Sequence, residues 1–185
     1  MVSLQPPVCE FGKPIVDFSL KGVDNRNWSM KECMGEKGLL VMFICNHCPY
    51  VKAVIDRLVR DTQELKKLGI NSVGINSNDP NHDKEDSFEN MVNLASKMQF
   101  SFPYLVDDSQ SVAKAYGAVC TPDFFGFNAS GELQYRGRLD ESRKSAADPD
   151  VRRDLFEGMK EVSLTQKGPN EQFASMGCSI KWKEA

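Results

Sequence analysis

Long apolar runs are missing from this chain of 185 residues; none approaches the ~20 that a membrane-spanning helix needs. Charge of one sign is missing as well. Basic residues number 23 against 26 acidic ones, and the net charge of −3 offers nothing to attract nucleic acid or an anionic membrane. The opening residues, Met1-Val2-Ser3-Leu4-Gln5-Pro6-Pro7, lack a charged head followed by an apolar stretch. No secretory signal is therefore expected, and a cytoplasmic location is the default. No internal repeat, low-complexity segment or interdomain linker interrupts the chain, whose length suits one domain over 1–185. Regular cysteine spacing is absent too. Cys9, Cys33, Cys45, Cys48, Cys120 and Cys178 form no staple framework, so one catalytic pair among scattered thiols is the expectation.

What is present centres on residues 39–51. Leu39-Leu40-Val41-Met42-Phe43-Ile44 is short and branched enough to be a buried strand. It runs into Cys45-Asn46-His47-Cys48-Pro49, after which Val51, Val54, Ile55, Leu58, Leu65 and Leu68 fall largely on one helical face. Strand, Cys-x-x-Cys, helix is an arrangement that activates a thiol. The unpaired N–H groups and positive dipole end of a helix N-terminus both favour thiolate over thiol.

The rest reads as alternating strands and helices. Residues 1–13 are Pro-rich and expected on the surface; Ile15 to Leu20 alternates as a strand, turning at Asp24-Asn25 into a return strand near Trp28. The helix from 49 to 68 closes at Gly69, and Ile70 to Asn76 is a strand parallel to the first. A helix is expected over 85–98, a strand over 103–106, a short helix over 109–116, a hairpin across 121–127 and 133–137, and a last helix over 150–162. The stretch 163–185 shows no clear period and reads as a tail.

In order and motif, this chain resembles the thioredoxin fold, an α/β fold with a central mixed sheet flanked by helices. It resembles in particular the peroxiredoxin-like branch, the alkyl hydroperoxide reductase and thiol-specific antioxidant superfamily, over about residues 10–162. Pro14-Ile15-Val16-Asp17-Phe18-Ser19-Leu20 is similar to that branch's added N-terminal hairpin. Tyr116-Gly117-Ala118-Val119-Cys120-Thr121-Pro122 is similar to its cis-proline loop, and residues 125–137 to its terminal hairpin. The resemblance implies that Thr121 and Pro122 face the redox pair and bind substrate, since residue 121 can pair with an incoming peptide or thiol. It also implies that Cys120 is a third thiol nearby, either an auxiliary redox group or a small buried residue.

Two registers are open for the pair. In the thioredoxin register Cys45 is the exposed nucleophile and Cys48 resolves, which leaves Pro49 some way into the helix where its missing N–H costs a bond. In the other register Pro49 is the first helical residue, a favoured place for proline, and Cys48 is the N-cap facing the orphan N–H groups. The second register is preferred. His47, beside the second cysteine as in disulfide-forming relatives, is expected to stabilise a thiolate and make the disulfide more oxidising. Met42 stands near the place of the fold's usual buried carboxylate, so proton transfer is left to His47 or water. Cys178 either reaches back over the site as a mobile resolving thiol or packs beside Trp182. Asp79 and His82 read as a solvated loop, and Cys9 and Cys33 as structural.

The leading expectation is a thiol–disulfide oxidoreductase with Cys45, Cys48 and His47 as its catalytic residues. It would act on protein or small-molecule thiols and disulfides, with no cofactor beyond an external dithiol donor or acceptor. A thiol peroxidase is the alternative, although the Pro-x-x-x-Thr-x-x-Cys sequence of peroxiredoxins is absent from residues 41–48. A metal-binding module comes third, since His47-Cys48-Pro49 resembles part of the copper-chaperone site. Lys52 stands where those relatives have a second cysteine, so no metal is expected.

Overall fold

A computed structural model describes residues 3–184. In chain order it contains β1 (Ser3–Leu4), β2 (Ser19–Gly22), β3 (Asn27–Ser29), α1 (Met30–Cys33), β4 (Gly38–Phe43), α2 (Pro49–Lys67) and β5 (Ile70–Asn76). After a 3-10 turn (Lys84–Asp86) come α3 (Phe88–Lys97), β6 (Tyr104–Val106), α4 (Ser111–Tyr116) and β7 (Cys120–Thr121). The chain closes with β8 (Asp123–Asn128), β9 (Leu133–Tyr135), α5 (Asp154–Thr165) and β10 (Gly177–Ser179).

Every residue of β4 is buried, as the unbroken apolar run requires of a strand covered on both faces. It lies at the heart of a seven-stranded mixed sheet ordered β3-β2-β6-β5-β4-β8-β9. β5 runs parallel to it from Gly38↔Ile70 to Phe43↔Ile75, and β8 runs antiparallel from Gly38↔Asn128 to Phe43↔Asp123. Successive side chains of a strand point to opposite faces. Leu40, Met42 and Ile44 therefore join one core with Val51, Val54 and Leu58 of α2 and Leu155 and Met159 of α5. Leu39, Val41 and Phe43 join the other, with Tyr116, Phe125 and Phe127. Between the two layers the end of β4 is held rigidly, and the chain leaves it at the cysteines.

Several expected boundaries move. The strand expected over 15–20 begins only at Ser19. Upstream, Gly12 and Ile15 instead donate to the carbonyls of Leu133 and Gly131, so this segment borders the terminal hairpin. The β2–β3 hairpin is present, with Asn25 taking the left-handed conformation at its turn. The third helix starts at Phe88 rather than 85, because Ser87 caps it by accepting from the Asn90 N–H while the preceding turn folds inward. The last helix runs from Asp154 rather than 150 and extends beyond 162 to Thr165.

The two ends hold a feature beyond the expected elements. Residues 3–13 lie mostly on the surface, as expected, yet both ends take part in strand pairing. β10 pairs antiparallel with β7 on one side and with β1 on the other, forming a separate three-stranded sheet. A three-residue strand has no hydrophobic period to betray it. Among the described residues, no helix is long and apolar enough to cross a membrane.

Candidate active site

Cys48 is the N-cap of α2, in extended conformation (φ −66°, ψ 122°), and Pro49 is the first helical residue. Proline at that position loses no hydrogen bond, which is why the helix starts there and not at Cys45. Both thiols are fully buried. The Cys45 Sγ lies 3.2 Å from Thr121 Oγ1, and the Cys48 Sγ lies 3.1 Å from the Thr121 carbonyl oxygen. Thr121-Pro122 is a cis peptide, and its loop faces both sulfurs as the sequence led us to expect.

Asp86 is the residue that sequence reasoning missed. In the run Asp83-Lys84-Glu85-Asp86 it resembled the acidic first turn of a helix. In the structure it is buried, and its Oδ1 accepts the Asn46 N–H at 2.7 Å and faces the His47 N–H at 3.4 Å. Its Oδ2 accepts from the Asn78 side chain at 2.9 Å and from His47 Nδ1 at 2.6 Å. A carboxylate can only accept, so the imidazole proton in this bond sits on Nδ1. Asn46 is pinned further by the Tyr104 hydroxyl, which donates to Asn46 Oδ1 at 2.9 Å. One carboxylate thus shapes the whole loop between the cysteines. Met42 leaves the expected place on β4 apolar, and a buried acid arrives instead from the turn after β5.

The ionisation of these groups follows from their neighbours. Hydrogen bonding from the Cys45 thiol is the main influence that draws Cys48 down to about 5. Burial opposes it, while the Cys178 thiol and the N–H groups of Val51 and Cys178 add to the lowering. The Thr121 carbonyl can accept only from the thiol form and so works against ionisation, but it is outnumbered by donors. Burial holds Cys45 well above the ordinary thiol range, reinforced by its bond to Cys48 and the charge of Asp86. His47 is raised, chiefly by its bond to Asp86 and against its burial. Asp86 is lowered: burial pushes it up, but the bonds from His47, Asn46 and Asn78 outweigh that. The imidazole is therefore paired with Asp86, and the sulfur it faces is that of Cys45, 3.8 Å from Nδ1.

The remaining candidates divide. The Cys178 Sγ lies 3.0 Å from the Cys48 Sγ, whereas Trp182 is exposed with the Lys114 ammonium over its ring. Cys178 therefore reaches back over the site on a paired strand and is not a packing partner of that indole. Cys120 is buried on β7, with its Sγ 3.6 Å from the Pro122 carbonyl oxygen, and burial pushes its pKa far up. His82 is exposed. Burial also raises Cys9 and Cys33, to about 11 and about 12. Among the described residues, Cys45, His47 and Asp86 place three possible metal-ligand atoms within 4.8 Å of one another. To serve, Cys45 would have to lose a strongly held proton, and Asp86 would have to give up its bond to the imidazole.

The sequence pattern of the AhpC/TSA family matches residues 11–136. This chain belongs to the AhpC/TSA family. Two solved structures match AhpC/TSA residues and the ends beyond them alike. An uncharacterized conserved protein from Geobacillus kaustophilus is 38% identical, with a TM-score of 0.94 over 100% of this chain and 98% of its own. A hypothetical protein from Sinorhizobium meliloti 1021 is 35% identical, with a TM-score of 0.92 over 98% of this chain and 99% of its own. Among curated proteins, the thiol-disulfide oxidoreductase ResA of Halalkalibacterium halodurans is 25% identical over 122 residues, or 66% of this chain. The match spans 65% of that relative's length. More distant solved thioredoxin-family structures share the thioredoxin fold of this AhpC/TSA member.

Proposed function

We propose that this AhpC/TSA protein is a thiol–disulfide oxidoreductase with Cys48 as its attacking sulfur and Cys45 as a resolving thiol. The observation that carries the reading is the seat of Cys48. It is the N-cap of a helix, faces the Thr121-Pro122 loop together with Cys45, and sits in surroundings that lower its thiol pKa. The Cys48 thiolate attacks a substrate disulfide, forming a mixed disulfide and releasing one substrate sulfur as thiolate. Cys45 then attacks the Cys48 sulfur. Its proton goes to the second substrate sulfur, which leaves as a thiol, and the Cys45–Cys48 disulfide remains. An external dithiol returns the two electrons. His47, whose protonated form Asp86 favours, stands beside the Cys45 sulfur and, when protonated, favours the anion that forms there during resolution. The curated relative's name, a thiol-disulfide oxidoreductase, supports disulfide exchange on thiol substrates, and we propose the cytoplasm as the working compartment.

Reduction of a small disulfide such as bis(2-hydroxyethyl) disulfide, driven by dithiothreitol, tests the reading. Turnover that disappears in Cys48→Ser, and a mixed disulfide on Cys48 that persists when Cys45 and Cys178 are both replaced by serine, are expected. Turnover surviving Cys48→Ser would overturn the assignment. Family membership favours a second reading, a thiol peroxidase, because a peroxide attacks the same thiolate. Rapid peroxide consumption with the same dithiol, alongside poor disulfide turnover, would promote it.

A further inference from the structure

The edge of β7 is where an incoming peptide would pair with Thr121, and that edge is taken. Strand β10 of the same chain lies antiparallel along it, with Cys178 opposite Thr121 and Ser179 opposite Cys120. This register carries the Cys178 sulfur to 3.0 Å from the Cys48 sulfur, and the Cys178 backbone N–H also faces that sulfur. From this separation, an approach of roughly 1 Å reaches a disulfide bond length of about 2.0 Å. We propose that β10 is a built-in occupant of the substrate-strand seat, and that Cys178 is a second redox partner of Cys48, forming a Cys48–Cys178 disulfide when the protein is oxidised.

Three features outside the thiols say that the seat is constructed. Gly177 lies so close to the partner strand that a Cβ there would sit 2.1 Å from the Thr121 carbonyl oxygen. Only glycine lets the two backbones approach at this distance. Ser175 Oγ donates to the Pro122 carbonyl at 2.8 Å, fixing the strand's entry beside the cis peptide. On the far side, Lys181 N–H donates to Asn78 Oδ1 at 2.8 Å, and the Lys181 carbonyl accepts from Asp79 N–H and from Gln110 Nε2. Asn78 is the residue that also holds Asp86, so the tail is tied to the group that shapes the Cys45–His47 loop.

The step balances without a further reagent. After the Cys48 thiolate has taken one sulfur of a substrate disulfide, Cys178 attacks the Cys48 sulfur and its proton goes to the departing substrate sulfur. The substrate disulfide gains two electrons, the Cys48 and Cys178 thiols lose two, and an external dithiol restores them. Cys45 and Cys178 thereby compete for one sulfur.

This inference rests on Cys48 being the attacking thiolate, and one experiment separates the two failures. Reduced full-length Cys45→Ser protein is oxidised with glutathione disulfide, quenched in acid, alkylated and digested with trypsin without reduction. Tryptic peptide 38–52 linked to peptide 168–181 is the expected product. The same treatment of Gly177→Ala in that background, with the Cys178 thiol retained but its strand pushed away, should lose the link in favour of glutathione on Cys48. A Cys178→Ser control should show glutathione on Cys48 only. If the Cys45→Ser protein keeps glutathione on Cys48 and shows no link, the inference falls while the attacking role of Cys48 stands. If Cys48 takes up neither glutathione nor Cys178, both fall.

Discussion

The two flanks of Cys48 are built from different materials. On the Cys45 flank, side chains do the positioning: Asp86, Asn78, Asn46 and His47 form a buried polar network that fixes a loop and its charge. On the Cys178 flank, backbone does it: a strand register, a glycine and a carbonyl set the sulfur in place. The first arrangement controls how readily a thiol loses its proton, because a charged pair sits beside the sulfur. The second acts chiefly through geometry, with burial raising the Cys178 thiol and the Lys181 charge drawing it down against that burial. Two resolving positions around one thiolate therefore need not be equivalent: one is tuned by electrostatics and the other by register.

Removing the shared centre has the largest effect. Cys48→Ser should end disulfide exchange through either flank, read as loss of dithiol-coupled turnover with the fold intact by circular dichroism. Next comes His47→Ala, which strands the buried Asp86 carboxylate. Breaking a buried pair from one side costs about 3–5 kcal/mol, measurable by denaturant unfolding. The bare carboxylate should also hold Cys45 further from ionisation and prolong the mixed disulfide. If the variant resolves at the wild-type rate, the electrostatic character assigned to the Cys45 flank is wrong.

The acid range sharpens the same contrast. The Cys48 thiolate, at about 5, should show an alkylation midpoint near that pH in the reduced protein. Cys178→Ala removes a donor that favours this anion and should move the midpoint upward by roughly one unit, since hydrogen bonds to charged groups are worth about 1.5–3 kcal/mol. An unmoved midpoint would show that the Cys178 flank contributes geometry alone.

Stability against pH has a definite sign. His47 is raised, so its contribution is complete below the ordinary histidine value near 6.5 and is lost as pH climbs past its higher folded value. Asp86 is lowered, so its contribution is complete above the ordinary carboxylate value near 4 and is lost as pH falls through its lower folded value. The pair therefore stabilises most between those two values. Urea midpoints of the Asp86→Asn protein should lack the alkaline decline that the wild type owes to His47. The smallest effect is expected for Cys120→Ala, about 1 kcal/mol of stability with disulfide exchange retained. Loss of exchange in that variant would make Cys120 a participant rather than a buried neighbour.

What the sequence reveals follows how local each signal is. The buried run 39–44, the proline after Cys48 and the Thr121-Pro122 pair are local features whose physics is complete within a few residues. From them the central strand, the N-cap assignment and the facing loop can be read. Asp86 cannot, because its role depends on a turn 39 residues from His47 folding back toward the site. The β10 strand is hidden for another reason. Its three residues pair through backbone groups that every residue type carries, and only Gly177, needed for close approach, leaves a trace in the sequence.

The order of the thiols along the chain carries one more consequence. Cys45, Cys48 and Cys120 are synthesised before Cys178, and chains fold from the N-terminal side as they emerge. During that interval α2 can form and Cys48 can acquire its helix cap, while the strand that later roofs it does not yet exist. The sulfur of Cys48 is thus more open to passing thiols in its own nascent chain than after Gly177 and Cys178 have arrived to pair along β7.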